Sequence, residues 1–262
     1  MTAIRGVLLD LDGVLHVSMR PIQGAAETLR WLDQHGYQTC FVTNTTTSAR
    51  ATLAQQLQTI GLPIAEERVM TAPVATANYI RQHFAGKRAW LLTKGNTAQD
   101  FAGIELVSDH ADVVVIGGAE ELLTYEAMNH AFRMLMDGAA LLATHANLYW
   151  RTLDGLQLDS GAYIRALEAA TGKQATILGK PNRAFFEQAL HSIGVAPDEA
   201  VMVGDDIEND IGGAQHAGIR GILVCTGKHN AGSPLLERIH PDAILPSIRD
   251  IPEWLESNNK AF

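Results

Sequence analysis

The sequence predicts an α/β fold built on a parallel sheet with helices on both faces, and three observations predict it. Strand-type and helix-type patterns alternate along the whole chain, as when parallel strands are joined by crossover helices. The runs Gly6-Val7-Leu8-Leu9 and Ala200-Val201-Met202-Val203 are apolar at every position rather than every second one, so these strands are covered on both faces. Each run ends in acidic residues, and open parallel sheets bind ligands beyond the carboxyl ends of their strands.

The first strand runs into Asp10-Leu11-Asp12-Gly13. Two like charges so close oppose each other's ionisation unless a cation or a shared proton compensates. The pair therefore implies a metal, a proton-transfer role or both, with solvated turn aspartates as the plain alternative. Gly13 permits the sharp turn that follows.

The next strand, Gln38-Thr39-Cys40-Phe41-Val42-Thr43-Asn44, ends in a hydroxyl and an amide, and Thr45-Thr46-Thr47-Ser48 supplies N-cap candidates for a helix over Ser48–Ile60. A hydroxyl beside the N–H groups of a helix start makes an anion cradle, although Thr-Asn after a strand is also ordinary turn chemistry. Gly179-Lys180-Pro181 then places one lysine just before a helix over Arg183–Ile193. The last strand of the series leads into Gly204-Asp205-Asp206 and on to Asp210, where a helix over Asp210–Ala217 begins. Helices over Ala25–Gln34 and Ile251–Ser257 complete this set. Between the second and third signals lie strands at Ala89–Leu92, Val113–Ile116 and Leu141–Thr144 and helices at Pro73–Phe84, Tyr125–Met136 and Ala162–Ala170.

With 262 residues, 47% of them hydrophobic, the chain can bury a substantial core, and two ordinary α/β domains fit that length. No apolar run is long enough to span a bilayer, and the first strand begins too early for a signal peptide, so a soluble, cytoplasmic protein is expected. A formal charge of −9 excludes nucleic acid as a bulk partner and disfavours anionic membranes. Cys40 and Cys225 both fall in predicted core strands and read as buried small apolar residues, not as a disulfide or a metal pair. The ten histidines show no metal-ligand spacing.

Strand-DxDG, strand-TN, GKP-helix and strand-GDDxxxD, in that order, resemble the four signature motifs of the haloacid dehalogenase (HAD) superfamily of phosphohydrolases. The long insert between the second and third motifs resembles the type-two α/β cap of its NagD-like and p-nitrophenyl-phosphatase-like branch. Stretches such as Gly212-Gly213-Ala214-Gln215 and Gly221-Ile222-Leu223-Val224-Cys225-Thr226-Gly227-Lys228 reinforce that branch. The resemblance implies a Rossmann-like HAD core over residues 1–71 and 177–262 and an inserted cap over 72–176, acting as a lid that selects substrates. It implies a Mg²⁺-dependent phosphatase of small phosphorylated metabolites. Asp10 would be the nucleophile that forms an aspartyl-phosphate, and Asp12 the general acid and then base. Thr43, the Asn44 backbone and Lys180 would bind phosphoryl oxygens. Mg²⁺ would be held by the carboxylates of Asp10 and Asp205 and the backbone carbonyl of Asp12. Asp206 and Asp210 would orient Lys180 or metal-bound waters, and relatives of this kind often pair through the cap, which implies a homodimer.

Specificity would live in the insert, where His145-Ala146-Asn147 stands in place of the Asn-Pro-Asp common in that branch, so His145 and Asn147 are the candidate substrate contacts. Tyr149-Trp150-Arg151 reads as a hairpin arm ahead of the turn Leu153-Asp154-Gly155, and His16 as a structural residue near the catalytic turn. Three other readings stay open: a phosphomutase or related phosphoryl-transfer enzyme, a phospho-receiver switch, and a noncatalytic scaffold that has kept the fold.

Overall fold

The structure is a computed structural model that describes residues 2–152, 155–228 and 232–259. In chain order its strands are β1 (Gly6–Asp10), β2 (His16–Val17), β3 (Arg20–Pro21), β4 (Gln38–Thr43), β5 (Val69–Thr71), β6 (Ala89–Thr93), β7 (Val113–Gly117), β8 (Ala140–Ala143), β9 (Tyr149–Thr152), β10 (Gly155–Leu158), β11 (Thr176–Ile177), β12 (Ala200–Gly204), β13 (Arg220–Val224) and β14 (Ala243–Leu245). The α-helices are α1 (Ala25–Gln34), α2 (Arg50–Thr59), α3 (Ala72–His83), α4 (Tyr125–Met136), α5 (Ser160–Thr171), α6 (Arg183–Ile193), α7 (Gly213–His216) and α8 (Ile251–Asn259). The chain divides into two compact units, one comprising Met1–Thr43, Ala51–Met70 and Lys180–Phe262, the other Asn44–Arg50 and Thr71–Gly179.

The first unit holds a six-stranded sheet of order β14-β13-β12-β1-β4-β5. β1 pairs in parallel with β4 on one side and β12 on the other, and β12–β13 and β13–β14 are parallel as well. The strand order thus turns about β1, the kind of switch point at which open sheets form a crevice. Every residue of β1 and of β12 is buried, as their unbroken apolar runs require. On one face Val7, Leu9, Val201 and Val203 pack with Leu29 and Leu32 of α1 and with Ile251 and Leu255 of α8. α6 packs against β4 and β1.

The second unit holds a four-stranded sheet of order β11-β8-β7-β6, parallel throughout. Val114 and Ile116 of β7 and Leu141 of β8 form its core with Met134 and Leu135 of α4 and Ile164 and Leu167 of α5. The helices start on side-chain caps: Thr71 accepts from Val74 N at 3.2 Å ahead of α3, and Thr124 from Ala127 N at 3.2 Å ahead of α4. β9 and β10 pair antiparallel as the sequence suggests, although residues Leu153 and Asp154 of the expected turn lie outside the described residues.

Helices α1, α4 and α6 span the residues the periodicity predicts. α2 begins at Arg50 rather than Ser48, because its first N–H groups are capped from far along the chain. Asn96 Oδ1 accepts from Ala49 N at 2.7 Å, and the Asp100 carboxylate accepts from Arg50 N at 3.2 and 3.3 Å. The helix expected over Asp210–Ala217 is instead a π-helical turn over Ile207–Gly212 followed by the short α7. Asp206 caps that turn, accepting from the backbone N–H of Glu208 and Asn209. Asp210 cannot serve as the cap, since its Oδ2 turns back to accept from Asp205 N and Asp206 N at 3.2 and 3.1 Å. Cys40 is buried as expected, but Cys225 is exposed, because β13 ends at Val224 and leaves the thiol at the start of the loop. Among the described residues no helix is long and apolar enough to cross a membrane.

Candidate active site

Three adjacent parallel strands of the first unit end at one edge. Register pairs Leu9 with Val203 and Asp10 with Val42, so Asp205 and Thr43 each stand one residue past the level of Asp10. The loop before α6 brings Lys180 to the same place, through a cis peptide to Pro181. Lys180 Nζ donates to Asp10 Oδ1 at 2.6 Å, to Asp210 Oδ1 at 2.7 Å and to the Val42 carbonyl at 3.5 Å. The side chains of Asp10, Lys180, Asp205 and Asp210 are buried, the last two to within 1% of full exclusion, and Thr43 is half-buried.

The electrostatics of the cluster follow from its composition. Burial would lower the Lys180 ammonium's pKa, but Asp10 and Asp210 outweigh it and raise it. Burial raises the carboxyl of Asp10, with Asp205 adding to the effect against Lys180. Burial, with Asp10 beside it, also pushes Asp210 up to about 6 despite Lys180. Asp205 is raised as well, chiefly by burial. Two of the three buried carboxylates, Asp10 and Asp210, thus share one buried ammonium, and oxygens of all three lie within 4.8 Å of one another.

That imbalance and one orphaned atom fit a divalent cation. Asp205 Oδ2 accepts from the Lys228 backbone N–H at 2.6 Å, whereas the buried Oδ1 has no hydrogen-bond partner among the described residues. A buried acceptor without a donor carries a free-energy cost that an ion can relieve. An all-oxygen donor set suits Mg²⁺. The surroundings are shaped for this carboxylate: a Cβ on Gly13 (φ 89°) or on Gly227 would overlap it. The Thr226 hydroxyl ties the two loops together by donating to the Gly13 carbonyl at 2.6 Å.

Asp12 stands apart from this buried group, its side chain 70% exposed against 11% for Asp10. Its Oδ1 accepts from Ser18 N at 3.3 Å and lies 3.4 Å from Nδ1 of the buried His16, whose pKa burial lowers. Asp206 does not reach Lys180. Its Oδ2 accepts from Asn209 Nδ2 at 2.9 Å and lies 3.4 Å from Lys228 Nζ, so only Asp210 of that pair touches the buried lysine. Lys228 was not singled out by residue chemistry. The signal that finds it is position, since it follows the carboxyl end of β13, the next parallel strand after β12.

The second unit gathers the remaining candidates. His145 lies two residues past the end of β8 and is buried. Its Nε2 lies 2.9 Å from Asp159 Oδ1 and its Nδ1 lies 3.2 Å from Thr144 Oγ1, so both ring nitrogens are engaged. Asn44, His145 and Asn147 line one concavity, together with Asp159, which the sequence reading did not single out.

Comparison with known proteins agrees with this architecture. The haloacid dehalogenase-like hydrolase family matches residues 7–106, and a HAD-hydrolase-like family matches residues 177–251. Haloacid dehalogenase-like hydrolase domain-containing protein 2 of Bos taurus is 41% identical over 239 residues, 91% of this chain and 90% of that protein. Phospholysine phosphohistidine inorganic pyrophosphate phosphatase of Homo sapiens is 36% identical over 261 residues, 97% of this chain and 95% of that one. Among solved structures, p-nitrophenyl phosphatase from Archaeoglobus fulgidus superposes with TM-score 0.86 at 27% identity, covering 97% of this chain and all of that one. NagD from E. coli K-12 superposes with TM-score 0.82 at 26% identity, covering 95% and 98%. The chain belongs to the haloacid dehalogenase-like hydrolase family. Within it, the chain is NagD-like.

Proposed function

We propose that this protein is a Mg²⁺-dependent phosphatase that hydrolyses a small phosphorylated metabolite through an aspartyl-phosphate on Asp10. The observation that carries the reading is the buried Lys180 ammonium held between Asp10 and Asp210, with the orphaned Asp205 Oδ1 beside them. In this reading residues 1–71 and 177–262 are the catalytic domain, and the insert over 72–176 selects substrates.

A phosphate dianion approaching Asp10 meets an excess of negative charge. Two unit charges 4 Å apart interact by about 1 kcal/mol in water and about 4 kcal/mol at an effective dielectric of 20. Asp10, Asp205 and the backbone carbonyl of Asp12 would hold Mg²⁺, which when bound would cancel part of that field and polarise the phosphoryl group. The Thr43 hydroxyl, the Asn44 N–H and Lys180 would bind the phosphoryl oxygens, a preorganised set of donors at strand and helix ends. Asp210 fixes the Lys180 ammonium in place.

In the first half-reaction an Asp10 oxygen bonds to phosphorus as the bond from phosphorus to the leaving atom breaks, and protonated Asp12 gives its proton to that atom. In the second, the Asp12 carboxylate takes a proton from water, whose oxygen bonds to phosphorus as the bond to Asp10 breaks. Inorganic phosphate leaves, and both aspartates return to their starting states. The exposure of Asp12 suits a group that must meet both a leaving group and water.

The 36% identical relative is named for phospholysine, phosphohistidine and inorganic pyrophosphate, so phosphoramidates and pyrophosphate join phosphomonoesters as candidate substrates. The test is phosphate release from p-nitrophenyl phosphate with Mg²⁺ and with EDTA, followed by a screen of phosphorylated metabolites. Metal-dependent release is expected. No release from any phosphorylated compound at saturating Mg²⁺ would sink the assignment.

A further inference from the structure

The turn after β1 is tied back on itself by His16. The His16 N–H donates to the Leu11 carbonyl at 3.2 Å, and its own carbonyl accepts from Gly13 N at 2.7 Å. Val14 and Leu15 just before it are fully buried, so His16 is fixed against the same turn that carries Asp12. Its side chain is 8% exposed, against 70% for that of Asp12.

Nδ1 of the His16 ring makes no hydrogen bond among the described residues. Asp12 Oδ1 lies 3.4 Å from it, longer than a well-formed hydrogen bond. A buried ring nitrogen without a partner carries a free-energy cost, and a small rotation of the exposed Asp12 side chain would remove it. Catalytic hydrogen bonds are often long in a resting site and tighten once substrate is present.

A second donor converges on the same oxygen. Ser18 N reaches Asp12 Oδ1 at 3.3 Å, from the two-residue turn that joins β2 to β3. Both residues of that turn have positive φ, 48° at Ser18 and 60° at Met19. Hairpin turns of this shape favour Asn-Gly, and residues with larger side chains keep such a backbone where their surroundings enforce it. Here it aims the Ser18 N–H at the acid. His16 pairs with Pro21 and Val17 with Arg20, so the ring and the turn belong to one short hairpin, which lies wholly within the first unit.

We propose that His16 is a positioning residue for Asp12: its Nδ1–H and the Ser18 N–H hold Oδ1, so that Oδ2 meets first the leaving atom and then water. An exposed carboxylate free to rotate occupies the productive position only part of the time, and misplacing a catalytic group by about 1 Å can cost about a hundredfold in rate. The inference rests on the phosphatase reading and deepens it by naming what orients the acid/base group.

The test uses aryl phosphates of similar size whose phenols differ in acidity, from p-nitrophenyl to p-methoxyphenyl phosphate. It is read in kcat/KM, which runs from the free enzyme only as far as the step in which the phenol leaves. p-Nitrophenol leaves with little help from a proton, whereas p-methoxyphenol needs one. His16→Leu should therefore lose less than about threefold on the first ester and about tenfold or more on the second. His16→Asn, whose amide N–H can stand in for Nδ1–H, should recover most of that difference. In the wild-type protein the nitrogen NMR shifts of the ring should show Nδ1 protonated at neutral pH. A folded His16→Leu protein that loses equally on every ester, or loses nothing, would overturn the inference and leave the phosphatase reading standing. So would a His16→Asn protein as impaired as His16→Leu on p-methoxyphenyl phosphate, or an unprotonated Nδ1 in the wild type, which is readable even where neither variant folds. Absence of phosphate release from every ester by the wild-type protein would instead remove the reading beneath the inference.

Discussion

Lys180 Nζ lies 2.6 Å from Asp10 Oδ1, with both side chains nearly excluded from solvent. The two residues are 170 positions apart in the chain, and the same ammonium reaches Asp210, 30 positions further on, at 2.7 Å. Two parallel strands and the loop before α6 therefore converge on one charge cluster. Its single buried ammonium does not balance its carboxylates, and that imbalance is what a metal and a phosphoryl group would answer.

Replacing Asp10 by Asn keeps the shape and a hydrogen-bond acceptor for Lys180 but removes the nucleophile. We predict a fall in kcat of roughly a thousandfold or more toward p-nitrophenyl phosphate, with a melting temperature near that of the wild type. Hydrolysis at the wild-type rate by this variant would refute the nucleophile assignment.

Lys180→Met leaves Asp10 and Asp210 facing each other without their counter-ion. Breaking a buried pair by removing one partner costs about 3–5 kcal/mol, so the variant should be strongly destabilised at neutral pH. The deficit should shrink on acidification. A carboxyl whose folded pKa is raised favours the folded state below its unfolded value of 3.8, and that contribution is lost as pH rises through the folded value, about 6 for Asp210 in the wild type. Without Lys180, which lowers both carboxyls, the window moves higher. Urea midpoints near neutral pH and near pH 5 decide the point, and a pH-independent deficit would mean that packing rather than charge is lost.

What the sequence shows about this site is the part written into short local patterns. The apolar runs of β1 and β12 and the acids after them are contiguous, so the strands and their buried faces can be read directly, whereas the place of Lys180 beside Asp10 and Asp205 follows only from the order of motifs that resembles the family. What cannot be read is bonding between distant segments. The Ser48 start for α2 failed because its cap is supplied by Asn96 and Asp100, some fifty positions away. The α-helix expected from Asp210 failed because its carboxylate is spent on Asp205 N and Asp206 N. Burial of Cys225 was misjudged by one residue, the distance from the end of β13 to its loop. Asp159 passed unnoticed because nothing local marks it as the partner of His145.

The close approach of Gly227 to Asp205 gives a test of the cation site that leaves all carboxylates in place. A Cβ there would overlap the Asp205 carboxylate, whose Oδ2 the adjacent Lys228 N–H holds. Gly227→Ala should raise the Mg²⁺ concentration needed for half-maximal activity by about tenfold or more, and should weaken the thermal stabilisation that added Mg²⁺ gives. An unchanged Mg²⁺ dependence in both readouts would show that Asp205 does not hold the metal.

The two cysteines should separate cleanly with a thiol reagent. Cys225 is exposed, whereas Cys40 is buried and burial pushes its thiol up to about 12, so little thiolate exists there to react. One equivalent should titrate in the native protein near pH 8 and the second only in denaturant. Two equivalents reacting rapidly without denaturant would contradict the packing of β4.

Asp159 carries a pH signature that distinguishes its role in the fold from that of the buried cluster. Burial opposes its ionisation, but the His145 ring and the Ser160 N–H outweigh that and hold its pKa below 3.8. A carboxyl lowered in the folded state stabilises the fold above its unfolded pKa, and that contribution is lost as pH falls through the folded value. Asp159→Asn, which can still cap α5, should therefore cost about 1 kcal/mol near neutral pH, the size of a charge-assisted hydrogen bond reduced to a neutral one. The difference from wild type should hold down to about pH 5 and close only below about pH 4. This trend is opposite in sign to that of Asp210, whose raised carboxyl favours folding as pH falls. Urea unfolding of both proteins across that range reads the two apart, and a difference that stayed constant through about pH 3 would mean that the charge of Asp159 does not carry the loss.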